Sequence, residues 1–182
     1  MLHCLSTTAN KPQYFTRKGP ASKGAGPSAF SNTLEPVHTI DSPEAMFELG
    51  KRIGSICKAG DLILLNGPLG AGKTVFVQGV GAALGIEDVT SPTFVISRIH
   101  KGPLPLIHVD VYRLLEAGKA SMYLDDLDLD SPREESVTVI EWGGEESARL
   151  SDERLEIVID RTNDVRNVSI TAVGDRWAGV AL

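Results

Sequence analysis

A chain of 182 residues, 42% hydrophobic and 23% charged, supports one domain with a full core and is too short for two comfortable ones. Its net charge of −6 is uneven: residues 1–34 carry Lys11, Arg17, Lys18 and Lys23 with no acid, which leaves −10 on the other 148 residues, an acidic body unsuited to gripping DNA or RNA by phosphate neutralisation. No apolar run approaches a membrane span, and the two cysteines, Cys4 and Cys57, form neither metal-ligand spacing nor a disulfide framework, which fits a reducing, cytoplasmic setting.

Residues 1–36 are rich in Ser, Thr, Gly, Pro and Ala and have no sustained period, so a disordered basic leader is expected there. The composition resembles an organellar transit peptide, but Gly19-Pro20 and Gly24-Ala25-Gly26-Pro27 oppose the amphipathic helix such a peptide needs. The domain is expected over 37–175, with 176–182 as a C-terminal tail. Ser42-Pro43-Glu44 reads as a helix N-cap, a proline at the first helical position and an acid in the first turn. Met46, Leu49, Ile53, Ile56 and Cys57 follow at helical spacing and predict a buried free thiol at Cys57, with Gly60 as the stop.

Leu62–Leu65 is the first expected strand. It runs into Gly67-Pro68-Leu69-Gly70-Ala71-Gly72-Lys73-Thr74, which matches G-x-x-x-x-G-K-[ST], and a helix is expected from about Lys73 to Leu84, closed by Gly85. Strand, glycine-rich loop and helix stand in the order a phosphate-binding loop requires. Glycines let backbone N–H groups converge with no Cβ in the way, and the helix start aims free N–H groups at the same point. Lys73 has the reach for β and γ phosphates, and the Thr74 hydroxyl suits Mg²⁺. A glycine-rich turn that binds nothing is the plain alternative, and the correct flanks argue against it. The helix itself, with Val75, Val77, Val80, Ala82, Ala83 and Leu84, has few polar positions and should bury against a sheet.

Downstream, Thr93–His100 and Leu106–Tyr112 read as strands separated by the turn Lys101-Gly102-Pro103, and Val137–Ile140 as a short apolar strand ending in Glu141. Residues 114–135 are left without an assignment, since Asp125, Asp126, Asp128 and Asp130 alternate with Leu124, Leu127 and Leu129. Arg154–Arg161 and Asn167–Val173 read as an antiparallel hairpin around Thr162-Asn163-Asp164. The order predicts an α/β fold of P-loop NTPase type: a central mixed sheet, parallel in its core and antiparallel at its edges, flanked by helices.

A phosphate loop alone says nucleotide, not reaction. Asp110 and Glu141 each stand at the carboxyl end of an apolar strand, where ligands of open α/β sheets bind, and are candidates for holding Mg²⁺ or orienting water. Which acid does which is open. Thr90-Ser91-Pro92-Thr93-Phe94 offers Thr93 as a switch residue or as an ordinary turn residue. His108 shares a strand face with Asp110 and reads as structural, and Arg113 is left undecided.

Together, Gly67–Thr74, Ser91-Pro92-Thr93-Phe94, His108-Val109-Asp110-Val111-Tyr112-Arg113-Leu114 and Ile140-Glu141-Trp142 resemble the ordered signature of the TsaE family, also called YjeE. The resemblance spans about residues 40–160. It implies a Mg²⁺-dependent ATPase with slow turnover, required for N6-threonylcarbamoylation of adenosine 37 in tRNAs that read ANN codons. It also implies association with the TsaD–TsaB pair, which carries out the transfer and is reset or regulated by the ATPase, so that tRNA is met indirectly or through the complex. By this match Lys73, Thr93, Asp110 and Glu141 are the expected catalytic residues, Gly67–Thr74 with Trp142 the nucleotide contacts, and Thr74, Asp110 and Glu141 the metal ligands. Three departures stand out: Met46 replaces an expected small hydroxyl residue, the aspartate-rich 125–130 replaces part of an expected helix and Gly-Leu segment, and the leader has no counterpart in the compact family members. A small-molecule or nucleotide kinase is the competing enzyme reading, although 114–135 is acidic where a lid would carry arginines. A non-hydrolysing, nucleotide-gated binding module is the third.

Overall fold

The computed structural model describes residues 37–92, 95–116, 130–162 and 165–180. Their frame is a seven-stranded sheet made of β1 (His38–Ile40), β2 (Leu62–Asn66), β3 (Ser97–His100), β4 (Leu106–Asp110), β5 (Val137–Glu141), β6 (Arg154–Asp160) and β7 (Arg166–Val173). The spatial order is β1-β7-β6-β2-β5-β4-β3. β2 runs parallel to β5 and β6, and β4 parallel to β5, while β3, β7 and β1 pair antiparallel at the two sides. The expected mixed sheet, parallel in its core and antiparallel at its edges, is what forms. Strand composition explains the order. β2, β4 and β5 are buried along nearly their whole length and so take central places, whereas β6 alternates buried Leu155, Ile157 and Ile159 with polar or exposed neighbours.

Two helices cover one face. In α1 (Pro43–Ile56) the Ser42 hydroxyl accepts a hydrogen bond from the Ala45 N–H at 3.1 Å, so the expected cap forms, with Pro43 in the first turn. Its Met46, Leu49 and Ile53 join Phe76, Val77 and Val80 of α2 (Lys73–Ala83) over Ile63, Leu65, Val139, Leu155 and Ile157 of the sheet. α1 and α2 cross with backbones in contact: a Cβ on Gly50 would lie 2.1 Å from the Phe76 carbonyl oxygen, and one on Gly79 would lie 2.0 Å from that of Phe47. Only glycine permits that approach. The opposite face is covered over β2, β4 and β5, where Leu62, Leu64, Ile107, Val109 and Ile140 pack under Val111, Leu114 and Trp142.

Several boundaries differ from the sequence reading. β1 was not foreseen; three residues are too few for a legible alternation. The strand expected over Thr93–His100 begins only at Ser97: the N–H groups of Val95 and Ile96 both donate to the Pro92 carbonyl, and Ile96 sits at φ +68°. The strand expected to reach Tyr112 stops at Asp110, because the Asp110 carboxylate accepts from the Tyr112 N–H at 3.0 Å and starts α3 (Tyr112–Glu116). Short helices α4 (Asp130–Glu134) and α5 (Glu145–Ala148) flank β5. The stretch 117–129, with most of the aspartate-rich segment, lies outside the described residues, as do the leader and Thr93.

The packed body runs past residue 175 into the stretch read as a tail. Trp177 is 2% exposed in a 3₁₀ turn, Asp175–Trp177. Arg176 holds the turn down: its guanidinium donates to both oxygens of buried Asp61 at 2.9 and 2.8 Å and to the Ile56 carbonyl at the end of α1. Cys57, just past that helix end, is half-buried; its thiol donates to the Ile53 carbonyl, and burial, with the Asp61 charge adding to it, pushes it up to about 12.

Candidate active site

The glycines of the loop do what their type allows. Gly67, Gly70 and Gly72 sit at φ +155°, +73° and +104°, and the Gly72 carbonyl accepts from Phe76 N–H as α2 begins. The loop rests on the core through Met46, whose Cγ would be 3.4 Å from a Cβ on Gly72. Met46, noted as a departure, is therefore a buried support under the loop. Beside the loop opens a cleft of about 360 Å³, walled by Leu69–Val75, Ser91, Asp110, Tyr112, Glu141 and Trp142.

Strand pairing assembles the rest. In the parallel register of β4 and β5, Asp110 stands opposite Glu141, and Leu65 of the loop strand also stands opposite Glu141. Two carboxylates, 7% and 3% exposed, thus end neighbouring strands beside Lys73 and Thr74. Lys73 is itself buried. Its ammonium donates to the carbonyls of Gly67 and Pro68, at 2.9 and 3.2 Å, and lies 4.0 Å from the centre of the Trp142 ring. Burial holds the Lys73 ammonium below the ordinary lysine range, and the charges of Glu141 and Asp110 oppose that shift.

Trp142 follows Glu141 at φ +63°, a conformation bulky residues rarely adopt. Its N–H donates to the Leu65 carbonyl, and its ring meets Tyr112 at 4.9 Å between centroids. The turn sets Trp142 in the cleft wall, and Asn66 fastens it by donating to the Gly143 carbonyl at 2.7 Å. On the other side of the loop, Arg161 donates to the Gly70 carbonyl at 3.3 Å.

Lys73, Thr74, Asp110, Glu141, Trp142 and the residues Leu69–Gly72 all converge on this cleft. Gly67 and Pro68 contribute carbonyls to Lys73 instead of wall, and Thr93 lies outside the described residues. Arg113 is exposed on α3. Sequence reading left out Tyr112, Asn66 and Arg161. Tyr112 stood in the recognised block, but Asn66 and Arg161 are ordinary strand-end polar residues that no local pattern sets apart.

The sheet order, the loop and the paired strand-end acids define the class: an α/β protein of P-loop NTPase type. The family model described as threonylcarbamoyl adenosine biosynthesis protein TsaE matches residues 40–168. Among relatives named tRNA threonylcarbamoyladenosine biosynthesis protein TsaE, that of Streptomyces coelicolor is 48% identical over 143 residues, covering 73% of this chain and 94% of its own. That of Mycobacterium tuberculosis H37Rv is 43% identical over 132 residues, covering 69% and 79%, and that of Bacillus subtilis 40% over 140 residues, covering 75% and 85%. The crystal structure of Bacillus subtilis YdiB superposes with a TM-score of 0.61 at 34% identity, over 81% of this chain and 92% of that one. The chain belongs to the TsaE family, whose members act in the biosynthesis of threonylcarbamoyladenosine in tRNA. No helix among the described residues is long and apolar enough to cross a membrane.

Proposed function

We propose that this protein is a Mg²⁺-dependent ATPase that serves tRNA threonylcarbamoylation as an accessory of a TsaD–TsaB transferase in the cytoplasm, meeting tRNA through that complex. The observation that carries the reading is the juxtaposition of Asp110, Glu141 and Lys73 around one cleft beside a glycine loop. The donor set fits a hard cation and a phosphate chain: a hydroxyl and two carboxylates on one side, loop N–H groups and an ammonium on the other. Thr74 and Asp110 would hold Mg²⁺, which supplies positive charge against phosphate oxygens when bound, and Glu141 is left for the water.

The chain's own residues do the remainder. Loop N–H groups from Gly70 to Thr74 bind the β and γ phosphates. The Lys73 ammonium exchanges the Gly67 and Pro68 carbonyls for phosphate oxygens, a better partner for a buried cation. Glu141 orients a water for in-line attack on the γ-phosphorus and takes its proton. The new bond is water oxygen to phosphorus, the β–γ bridging bond breaks, and ADP leaves with the electron pair. Trp142 and Tyr112 limit access of bulk water from the mouth. Thr93 is proposed as the switch that senses the γ-phosphate.

The test is ATP hydrolysis by the full chain, alone and with the TsaD–TsaB pair of the same source, with capture of that pair. Lys73→Ala should abolish tight ATP binding. Glu141→Ala should bind ATP while its turnover falls by roughly 10²-fold or more, the usual scale of a positioned base. Equal turnover by Glu141→Ala and the parent refutes the role of Glu141, and failure to capture TsaD–TsaB refutes the partnership. Phosphate appearing on an acceptor other than water points to a kinase, and nucleotide binding with no turnover in either condition to a gated binding module.

A further inference from the structure

His108 lies one alternation before Asp110 on β4, on the same face of the sheet as Glu141. Its ring is wholly buried, and Nε2 is 2.9 Å from Glu141 Oε1, whose side chain is 4% exposed. The other ring nitrogen, Nδ1, is buried with no hydrogen-bond partner among the described residues. A histidine that served only to fill this space would be a poor choice, because an aliphatic side chain packs among Leu106, Val139 and their neighbours with no polar atom to desolvate. The polar reward at this position is the contact with Glu141.

The geometry also selects the form of the ring. A proton on Nε2 lets the ring donate to the carboxylate and leaves Nδ1 as a bare acceptor. A proton on Nδ1 would bury a donor with nothing to receive it, the costlier arrangement. An Nε2–H bond to Oε1 pins one oxygen of Glu141 and fixes the carboxylate plane, leaving Oε2 for the cleft. We infer that His108 is the positioning residue of this site: it holds Glu141 in the orientation that presents its second oxygen to the attacking water. The inference rests on the hydrolytic reading above. His108 itself neither gains nor loses a proton in the step; the water proton goes to Glu141. This also explains why a charged side chain can remain 3% exposed at the end of β5, since a buried carboxylate needs a donor before any ligand arrives.

Two variants separate positioning from packing. His108→Gln keeps an N–H donor at similar reach, and His108→Met keeps the volume without it. In the full chain, His108→Met should lower kcat roughly 10–100-fold, the scale seen when a supporting hydrogen bond to a functional ligand is removed, with the Kd for ATP changed less than about threefold. His108→Gln should recover most of that loss, and thermal unfolding of both variants checks that they fold. A Met variant that turns over like the parent overturns the inference, as does an equal loss in both variants accompanied by weakened ATP binding. A second readout needs no turnover. In ¹⁵N-histidine spectra His108 should appear with its proton on Nε2, slow to exchange with water, and Glu141→Ala should abolish that protection. A proton on Nδ1 in the parent, or protection unchanged in Glu141→Ala, overturns the inference. A parent without turnover refutes the hydrolytic reading alone, and the ring spectrum then still decides whether His108 holds Glu141.

Discussion

Gly79→Ala sets two effects of opposite sign against each other. Gly79 sits inside α2, where replacing glycine by alanine ordinarily stabilises a helix by about 0.5–1 kcal/mol through backbone entropy and propensity. Here the new Cβ would lie 2.0 Å from the Phe47 carbonyl oxygen and 2.9 Å from the Lys51 nitrogen, both backbone atoms of α1. Ordinary contact begins near 3.4 Å, so the helices must part by about 1.4 Å, and no flexible side chain can absorb that shift. Overpacking of this kind costs roughly 1–3 kcal/mol, and moving α1 also loosens Met46 and Leu49 from the core. The clash wins. The net loss should be about 1–2 kcal/mol, which at 2–4 °C per kcal/mol lowers Tm by roughly 2–8 °C. Because Met46 supports Gly72, the ATP binding proposed for the loop should weaken as well. Differential scanning calorimetry of parent and variant measures the first effect, with Gly144→Ala, where a Cβ meets nothing within 4 Å, as the control. A Gly79→Ala protein that melts at or above the parent would refute the reasoning.

Arg176→Leu leaves buried Asp61 with the Lys58 N–H as its remaining described donor, so it should cost about 3 kcal/mol, the low end for breaking a buried pair, and Asp61→Asn in the same chain should return part of the loss in a double-mutant cycle. Chemical denaturation of the four proteins reads both numbers, and strict additivity would refute the coupling. Cys57 should be nearly inert to iodoacetamide at pH 8 in a Cys4→Ser chain, slower than a free thiol by about 10³-fold, since a thiol near 12 is almost wholly protonated there. The same shift carries a sign for stability. The folded thiol binds its proton more tightly than the unfolded one, so the contribution is present below the unfolded value and is lost as pH rises through the folded value near 12. Urea midpoints at rising alkaline pH should therefore fall less steeply in Cys57→Ala.

Much of the candidate site was readable in the chain because its determinants are contiguous. The glycines at 67, 70 and 72 turn the loop backbone at positive φ, where a Cβ would be strained, and Ser42 caps the helix its neighbours announced. Element ends were less legible for an equally physical reason. Val95, Ile96 and Tyr112 belong by composition to strands, yet Pro92 captures two N–H groups and Asp110 a third, and those local hydrogen bonds end the strands early. Trp177 looked like part of a tail because one buried tryptophan and one arginine make no period; the partners of Arg176, Asp61 and Ile56, are more than a hundred residues away.

The same division describes the protein as a whole. Sequence alone determined the glycine-rich loop, its strand and helix, and two acids at strand ends, since each follows from φ preference, capping or alternation within a few residues. Tertiary structure decided that β5 inserts between β2 and β4, which brings Glu141 opposite both Leu65 and Asp110, and that His108 reaches Glu141 at 2.9 Å. It also decided that α1 and α2 cross through glycine. These are relations between segments far apart in the chain, fixed by which strands pair and how closely backbones approach, and no local pattern of residues encodes a neighbour it never touches along the sequence.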